Sequence, residues 1–262
     1  MAKVQKRGLL TVWSNVIFAL LLRQLQSKFS DKFGVAWLVA QPVLFIVVLG
    51  TLRGRIDGGD VHGLPPFVFM LLGFVTVLQF IQGWSGVSSS MKKDKPLYAF
   101  RQVQPFASVL SAALLEFVTF VIIMLTLSYI AILMGDETSI HDPLSLILFM
   151  VELQVLSYAL GLIFGIGKFF IIELSKVESM LNRPIIFVSG TFFSLNDMPV
   201  ESWPYLSWNP ILHAIELSRH AVNDKFPLAD PISATYLHMC VIVTLFFALA
   251  LYFNFWKKAI SR

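Results

Sequence analysis

Chemistry needs ionisable or nucleophilic side chains within reach of one another, and in this sequence they are sparse. One stretch gathers them: His213, Glu216, Arg219 and His220. Histidines flanking an acid suggest a metal site, but their spacing matches none of the zinc patterns. They read instead as polar groups at the end of a short helix. The one Gly-Lys pair is Gly167-Lys168. A phosphate-binding loop needs a glycine five positions before that glycine and Ser or Thr after the lysine. Leu162 and Phe169 stand there, so ATP is not expected to bind this chain in that way. Glu116 and Glu152 lie inside apolar runs, where a charge is costly and marks a functional candidate. Glu116 has a structural reading as partner of Arg101, Gln79 or another polar group. Glu152, eight residues into its run, has one as a group reaching the interface. Proton coupling is the alternative for both, and a membrane-embedded enzyme would need the two acids in one wet cleft. No catalytic residue, metal ligand or cofactor site is assigned to the chain.

The elements that carry these residues follow from composition. Of 262 residues, 56% are hydrophobic and 14% charged, against roughly 25% charged in a soluble domain. The apolar residues come in long blocks, so the fold class is an all-α membrane protein. Six transmembrane helices are expected, at about 34–52, 64–87, 105–134, 144–170, 177–195 and 233–256. Residues 1–33 form an N-terminal segment with an amphipathic interface helix over 9–30, where Ser14, Asn15, Arg23, Gln24 and Ser27 interrupt the apolar positions. Residues 257–262 form a tail. Lys3, Lys6 and Arg7 resemble the start of a signal peptide, but no cleavage site follows, and none is expected to be removed. Cys240, the single cysteine, lies inside an apolar block.

Basic residues test this map. Sixteen of the 20 Lys and Arg fall in 1–34, 88–104, 168–183 and 257–262, and four in 53–63 and 194–231. By the positive-inside rule both termini are cytoplasmic. The basic residues lie between apolar blocks rather than on one face, so topology explains them and nucleic acid is not an expected partner.

Two connections stand out. Segment 196–231 holds five of the 12 prolines, yet also Trp203, Tyr205 and Trp208. Too apolar for a wet loop and too rich in proline for a straight span, it is expected to form two re-entrant helices. Its aromatic residues, with Arg53, Arg55, Glu216 and Arg219, are candidates for a substrate pathway or gate, since Arg suits acidic groups bidentately. Headgroup contact, or an Arg219–Glu216 ion pair, is the competing reading. The loop 88–104 is basic, with Lys95 and Arg101, but also carries Leu97, Tyr98 and Phe100. Anionic lipid explains the charge; docking of a cytoplasmic partner explains the apolar knob.

These residues carry a resemblance. The run Arg23 to Pro42, with Ser27-Lys28-Phe29, Phe33-Gly34, Trp37 and Gln41-Pro42, resembles the start of ABC-2 type exporter permeases. Leu97 to Pro105, then Leu114-Leu115-Glu116, is similar to the coupling loop and third span of the capsular polysaccharide export permeases of the KpsM type. The most specific part is Trp208-Asn209-Pro210 with Glu216-Leu217-Ser218-Arg219. Gly167 to Ile171 is less polar than the family pattern. The resemblance implies a homodimer, each copy bound to a cytoplasmic ABC ATPase subunit that holds ATP and Mg. It implies export of lipid-anchored capsular polysaccharide across the bacterial inner membrane. A periplasmic copolymerase-type adaptor and an outer-membrane channel would continue the route. Residues 91–101 would carry the coupling helix and 196–220 the gate helices.

Overall fold

A backbone away from water must pair its own N–H and C=O groups, which leaves an apolar chain the choice of helix or closed barrel. Here it is helix. The computed structural model describes residues 9–30, 32–100, 102–135 and 140–261. In chain order the helices are α1 (Leu9–Phe29), α2 (Lys32–Asp57), α3 (Pro66–Lys93), α4 (Pro105–Leu133), α5 (Pro143–Phe170), α6 (Leu174–Val188), α7 (Trp203–Leu206), α8 (Pro210–Val222) and α9 (Ala234–Ile260). No strand occurs among the described residues, only a bridge between Val61 and Leu64.

Prolines start these helices more often than they bend them. Pro66, Pro105, Pro143 and Pro210 each occupy the first turn, where the missing N–H costs nothing. Asp142, Asn209 and Ser233 cap α5, α8 and α9 by accepting from backbone amides. Among the described residues four helices, α3, α4, α5 and α9, are long and apolar enough to cross a membrane, at 27 to 29 residues each. The run expected at 34–52 lies inside α2, which has 26 residues.

Two boundaries differ most from the sequence reading, while α2 and α9 run five and four residues past their expected ends, to Asp57 and Ile260. The span expected at 64–87 continues as helix to Lys93, one turn and a half into the connecting loop. The span expected at 177–195 is a 15-residue helix ending at Val188. Gly190 follows with φ +71°, a conformation that favours glycine and turns the chain. The apolar run to Leu195 is therefore a turn packed against the bundle, not more helix.

Helix α3 is central: 83% of its apolar window is buried, against 22% for α9. Its seam with α5 is made by small residues, as in many membrane interfaces. A Cβ on Gly161 would lie 2.7 Å from the Val87 Cβ and 2.9 Å from the Trp84 carbonyl. The outer face of α9 carries Met239, Ile242, Phe246, Phe247 and Phe253, all exposed.

Two ends of the bundle can be distinguished by contact. At one, the loop-rich end, Asp142 donates its amide to the Ala221 carbonyl (2.8 Å) and Asn196 bonds the Pro227 carbonyl (2.7 Å). At the other, the basic end, Arg23 pairs with Asp94 and Lys95 lies over the Phe169 ring.

Gly161→Leu is expected to wedge α3 from α5 and to destabilise the fold by about 1–3 kcal/mol, as overpacking does. Thermal melts of the detergent-solubilised protein check this, with Phe246→Leu on the exposed face of α9 expected to leave the midpoint in place.

Candidate functional site

The loop-rich end is built around two arginines and one ring. In α8, Arg219 is fully buried and lies 3.5 Å from the centroid of Phe69, with Arg53 at 5.8 Å from the same ring. The Arg219 guanidinium donates to Glu216 Oε1 (3.0 Å) and to the carbonyls of Phe193 (3.0 Å), Phe69 (3.2 Å) and Thr191 (3.3 Å). Glu216 Oε2 accepts from Ser194 Oγ at 2.8 Å. Arg53 of α2 pairs with Asp197 (2.6 Å), which also meets His62 (2.7 Å) and the Ser194 amide (2.9 Å). Burial pushes the Asp197 carboxyl up, but the Ser194 amide, His62 and Arg53 outweigh it and hold it below the ordinary carboxylate range. It is a charged partner at neutral pH.

This clamp explains an irregularity in α3. Leu71–Val75 forms a π-turn, and at its centre a Cβ on Gly73 would lie 2.5 Å from the Thr191 carbonyl and 2.6 Å from Arg219 Nη2. Only glycine admits both. Single π-turns inside α-helices are frequent at functional sites.

The remaining aromatic candidates divide. Trp203 Nε1 donates to the carbonyls of Leu195 (2.9 Å) and Met198 (3.2 Å), so it anchors the loop from within. Tyr205 and Trp208 project outward, 77% and 63% exposed. Arg55 is exposed as well. The histidines do not meet at a metal. His213 accepts from the Ser233 amide and donates to the Ser207 carbonyl, and His220 bonds the Phe226 carbonyl. Among the described residues no group of three or more His, Cys, Asp or Glu is placed to hold a metal ion.

At the basic end, Lys28 of α1 binds both oxygens of Glu116 (3.0 and 2.9 Å). Of the partners expected for Glu116, Lys28 is the other polar group and Gln79 does not bond the carboxylate; Arg101 lies outside the described residues. Gln24 of the same helix bonds Ser111 (3.2 Å). The polar face of α1 thus turns toward α4, around a cavity of about 560 Å³ lined by Arg23, Lys28, Lys93, Asp94 and Glu116 among others. Glu152 of α5 bonds His238 of α9 at 2.7 Å. The two acids have different partners on different helices and share no cleft.

The loop expected to dock a cytoplasmic partner forms a short 3₁₀ turn over Lys95–Ala99. Leu97 packs inward with Ile17, Leu20 and Ala107. Tyr98 is half-buried, and burial pushes its phenol up, well above its usual range. Phe100 alone of the three projects, 64% exposed.

The model of the ABC-2 type transporter family matches residues 15–222. The chain belongs to the ABC-2 type transporter family. It is 33% identical to the polysialic acid transport protein KpsM of Escherichia coli over 236 residues, 89% of this chain and 91% of that one. The capsule polysaccharide export inner-membrane protein BexB of Haemophilus influenzae is 22% identical over 80% of each chain. CtrC of Neisseria meningitidis, of the same description, is 22% identical over 95% of this chain and 94% of its own.

Within this ABC-2 type chain, reasoning from sequence missed Asp197, His62, Ser88 and Glu178. Glu178 carried a signal: it falls in an apolar stretch read as a span, as Glu116 and Glu152 do. The partners of the other three are set only by the fold.

Arg219→Gln leaves Glu216 buried without its cation and is expected to cost about 3–5 kcal/mol. The pair exchange Glu216→Met with Arg219→Met should cost less than Arg219→Gln, because no charge is stranded. Thermal midpoints of the three proteins check the order.

Proposed function

We propose that this chain is the membrane permease subunit of an ATP-driven exporter of lipid-anchored capsular polysaccharide in the bacterial inner membrane. The similarity to KpsM along nearly the whole of both chains carries this reading. The chain crosses the membrane six times: α3, α4, α5 and α9 cross as single helices, α2 supplies the first span and α6 with its following turn the fifth. The excess of Lys and Arg at the basic end supports a cytoplasmic position for that end and for both termini. The helices α7 and α8 then re-enter from the outer side, and α1 lies at the inner interface.

A second copy completes the pathway. What supports this is exposed apolar surface: Leu44, Phe45, Val48 and Leu52 on α2, and Met180 and Phe187 on α6. Polymer would pass between the copies, meeting Tyr205, Trp208 and Arg55 at the outer end. Aromatic faces suit sliding contact with sugar rings, and Arg55 suits an acidic sugar or lipid phosphate. Arg53, Arg219 and Glu216 would act as the frame of the gate rather than as its surface, since each is engaged by protein.

ATP and Mg reside on a separate ATPase subunit, which docks on residues 94–101 through Phe100, with Lys95 and Arg101 adding charge. A periplasmic copolymerase-type adaptor and an outer-membrane channel receive the polymer. A related reading keeps the mechanism and changes the cargo to O antigen, teichoic acid, lipid or drug.

Expression in a capsule-producing strain that lacks its own permease tests the function. Restored surface polysaccharide supports it; assembly with the ATPase and no export of capsule moves the reading to another cargo. Docking has its own test. Phe100→Ser is expected to release the ATPase subunit in pull-downs while leaving the thermal midpoint of the chain unchanged. Leu97→Ser, in the packed position, should lower the midpoint instead.

A further inference from the structure

Helix α6 is held to the rest of the molecule in an unusual way. Val177, Met180, Leu181 and Phe187 along it are exposed, and its one fully buried residue is an acid, Glu178. The Glu178 carboxylate pairs with Lys168 at the end of α5 and accepts from Ser88 Oγ of α3 at 2.9 and 3.0 Å. Lys168 Nζ in turn donates to Ser88 Oγ at 2.7 Å. Three helices meet in this triad, and the lysine and acid side chains are 10% and 7% exposed. The approach depends on Gly165, where a Cβ would lie 3.2 Å from the Ser88 carbonyl.

The triad adjoins the loop at the basic end. Lys95 Nζ lies 5.8 Å from the centroid of the Phe169 ring, and Phe169 follows Lys168 in the chain. The physical path is short: the loop touches the end of α5, and the end of α5 grips α6.

We propose that Lys168, Glu178 and Ser88 form the latch that transmits displacement of the loop 94–100 to α6. This rests on the permease reading and names the positioning residues through which it works. A buried ion pair resists separation, because parting it strands two charges. Between this charge and the far end of α6 the inward contacts are apolar, through Ile185 and Ile186, so the near end of the helix must follow its one buried charge. When the loop shifts the end of α5, Lys168 carries Glu178, and α6 moves as a unit. Its far end pivots where Asn209 Nδ2 bonds the Val188 carbonyl (3.3 Å) and Ser189 Oγ (3.0 Å).

The test uses the full chain assembled with its ATPase subunit, reading ATP hydrolysis in membrane vesicles and surface polysaccharide in cells. Glu178→Gln and Lys168→Met are expected to hydrolyse ATP near the wild-type rate while export falls about tenfold, a typical coupling free energy. The charge exchange Lys168→Glu with Glu178→Lys should recover part of the export. If Glu178→Gln does not assemble, Ser88→Ala decides, since it breaks the relay without stranding a charge; export should fall while hydrolysis holds. Export unchanged in the assembled variants, or hydrolysis and export falling in parallel, overturns the latch. A charge exchange that assembles but recovers nothing overturns it as well. The wild type is measured first: absence of ATP-dependent polysaccharide export there overturns the permease reading and the latch that rests on it, whereas with wild-type export present the variants decide on the latch alone.

Discussion

A charge taken out of water costs several kcal/mol even after its surroundings relax, and an opposite charge at hydrogen-bond distance offsets that cost only if geometry is held. In an apolar bundle this constraint acts like a set of pins. Lys28–Glu116 fastens α1 to α4, Lys168–Glu178 fastens α5 to α6, and His238–Glu152 fastens α9 to α5. Apolar packing alone leaves helices in lipid free to rotate or slide, since tails are as apolar as leucine. The pins give register. They also explain why so few charged residues suffice, because each one is used to fix a neighbour distant along the chain.

The same constraint governs the irregular backbone at the loop-rich end. Residues 189–209 are mostly not α-helical, and their carbonyls need donors that helices would otherwise supply. Arg219 brings five N–H donors on one rigid plane, and three of its acceptors are the carbonyls of Phe69, Thr191 and Phe193. Lysine, a point charge with three rotating donors, would not span them. The π-turn and Gly73 make room for that plane, so a departure from regular helix in α3 and an arginine in α8 form one device.

Much of this architecture is legible in the sequence because its signals are local. An apolar block of 27 to 29 residues betrays its helix whatever surrounds it, and prolines at positions 105, 143 and 210 mark starts. The end of α6 is not legible in that way. Hydropathy continues smoothly to Leu195, and only the positive φ of Gly190 breaks the helix. Partners are harder still. Glu116 announces itself as a charge in an apolar run, but its cation Lys28 comes from α1, 88 residues away, and no local spacing marks that partner. Arg219 and Glu216 were recognisable as a pair from their i,i+3 spacing. That Phe69 and Asp197 close the cluster depends on how α2, α3 and α8 pack.

The two ends differ in how firmly they hold their parts, and the difference has a physical origin. The clamp around Arg219 ties α2, α3 and α8 to the turn at 191–197 through a shared set of hydrogen bonds, ion pairs and ring contacts, so moving that turn breaks several contacts at once. Helix α6 has one buried charge, Glu178, and one polar tie at its far end, where Asn209 bonds the Val188 carbonyl. Sliding an apolar flank past lipid or past another apolar helix changes little free energy, because surface leaving one apolar neighbour finds another. Firmness therefore follows the number of polar ties rather than the area of contact. A frame with many ties at one end and a helix with few at the other makes α6 the element that can shift at least cost, and Lys168–Glu178 the contact through which a shift of α5 would reach it.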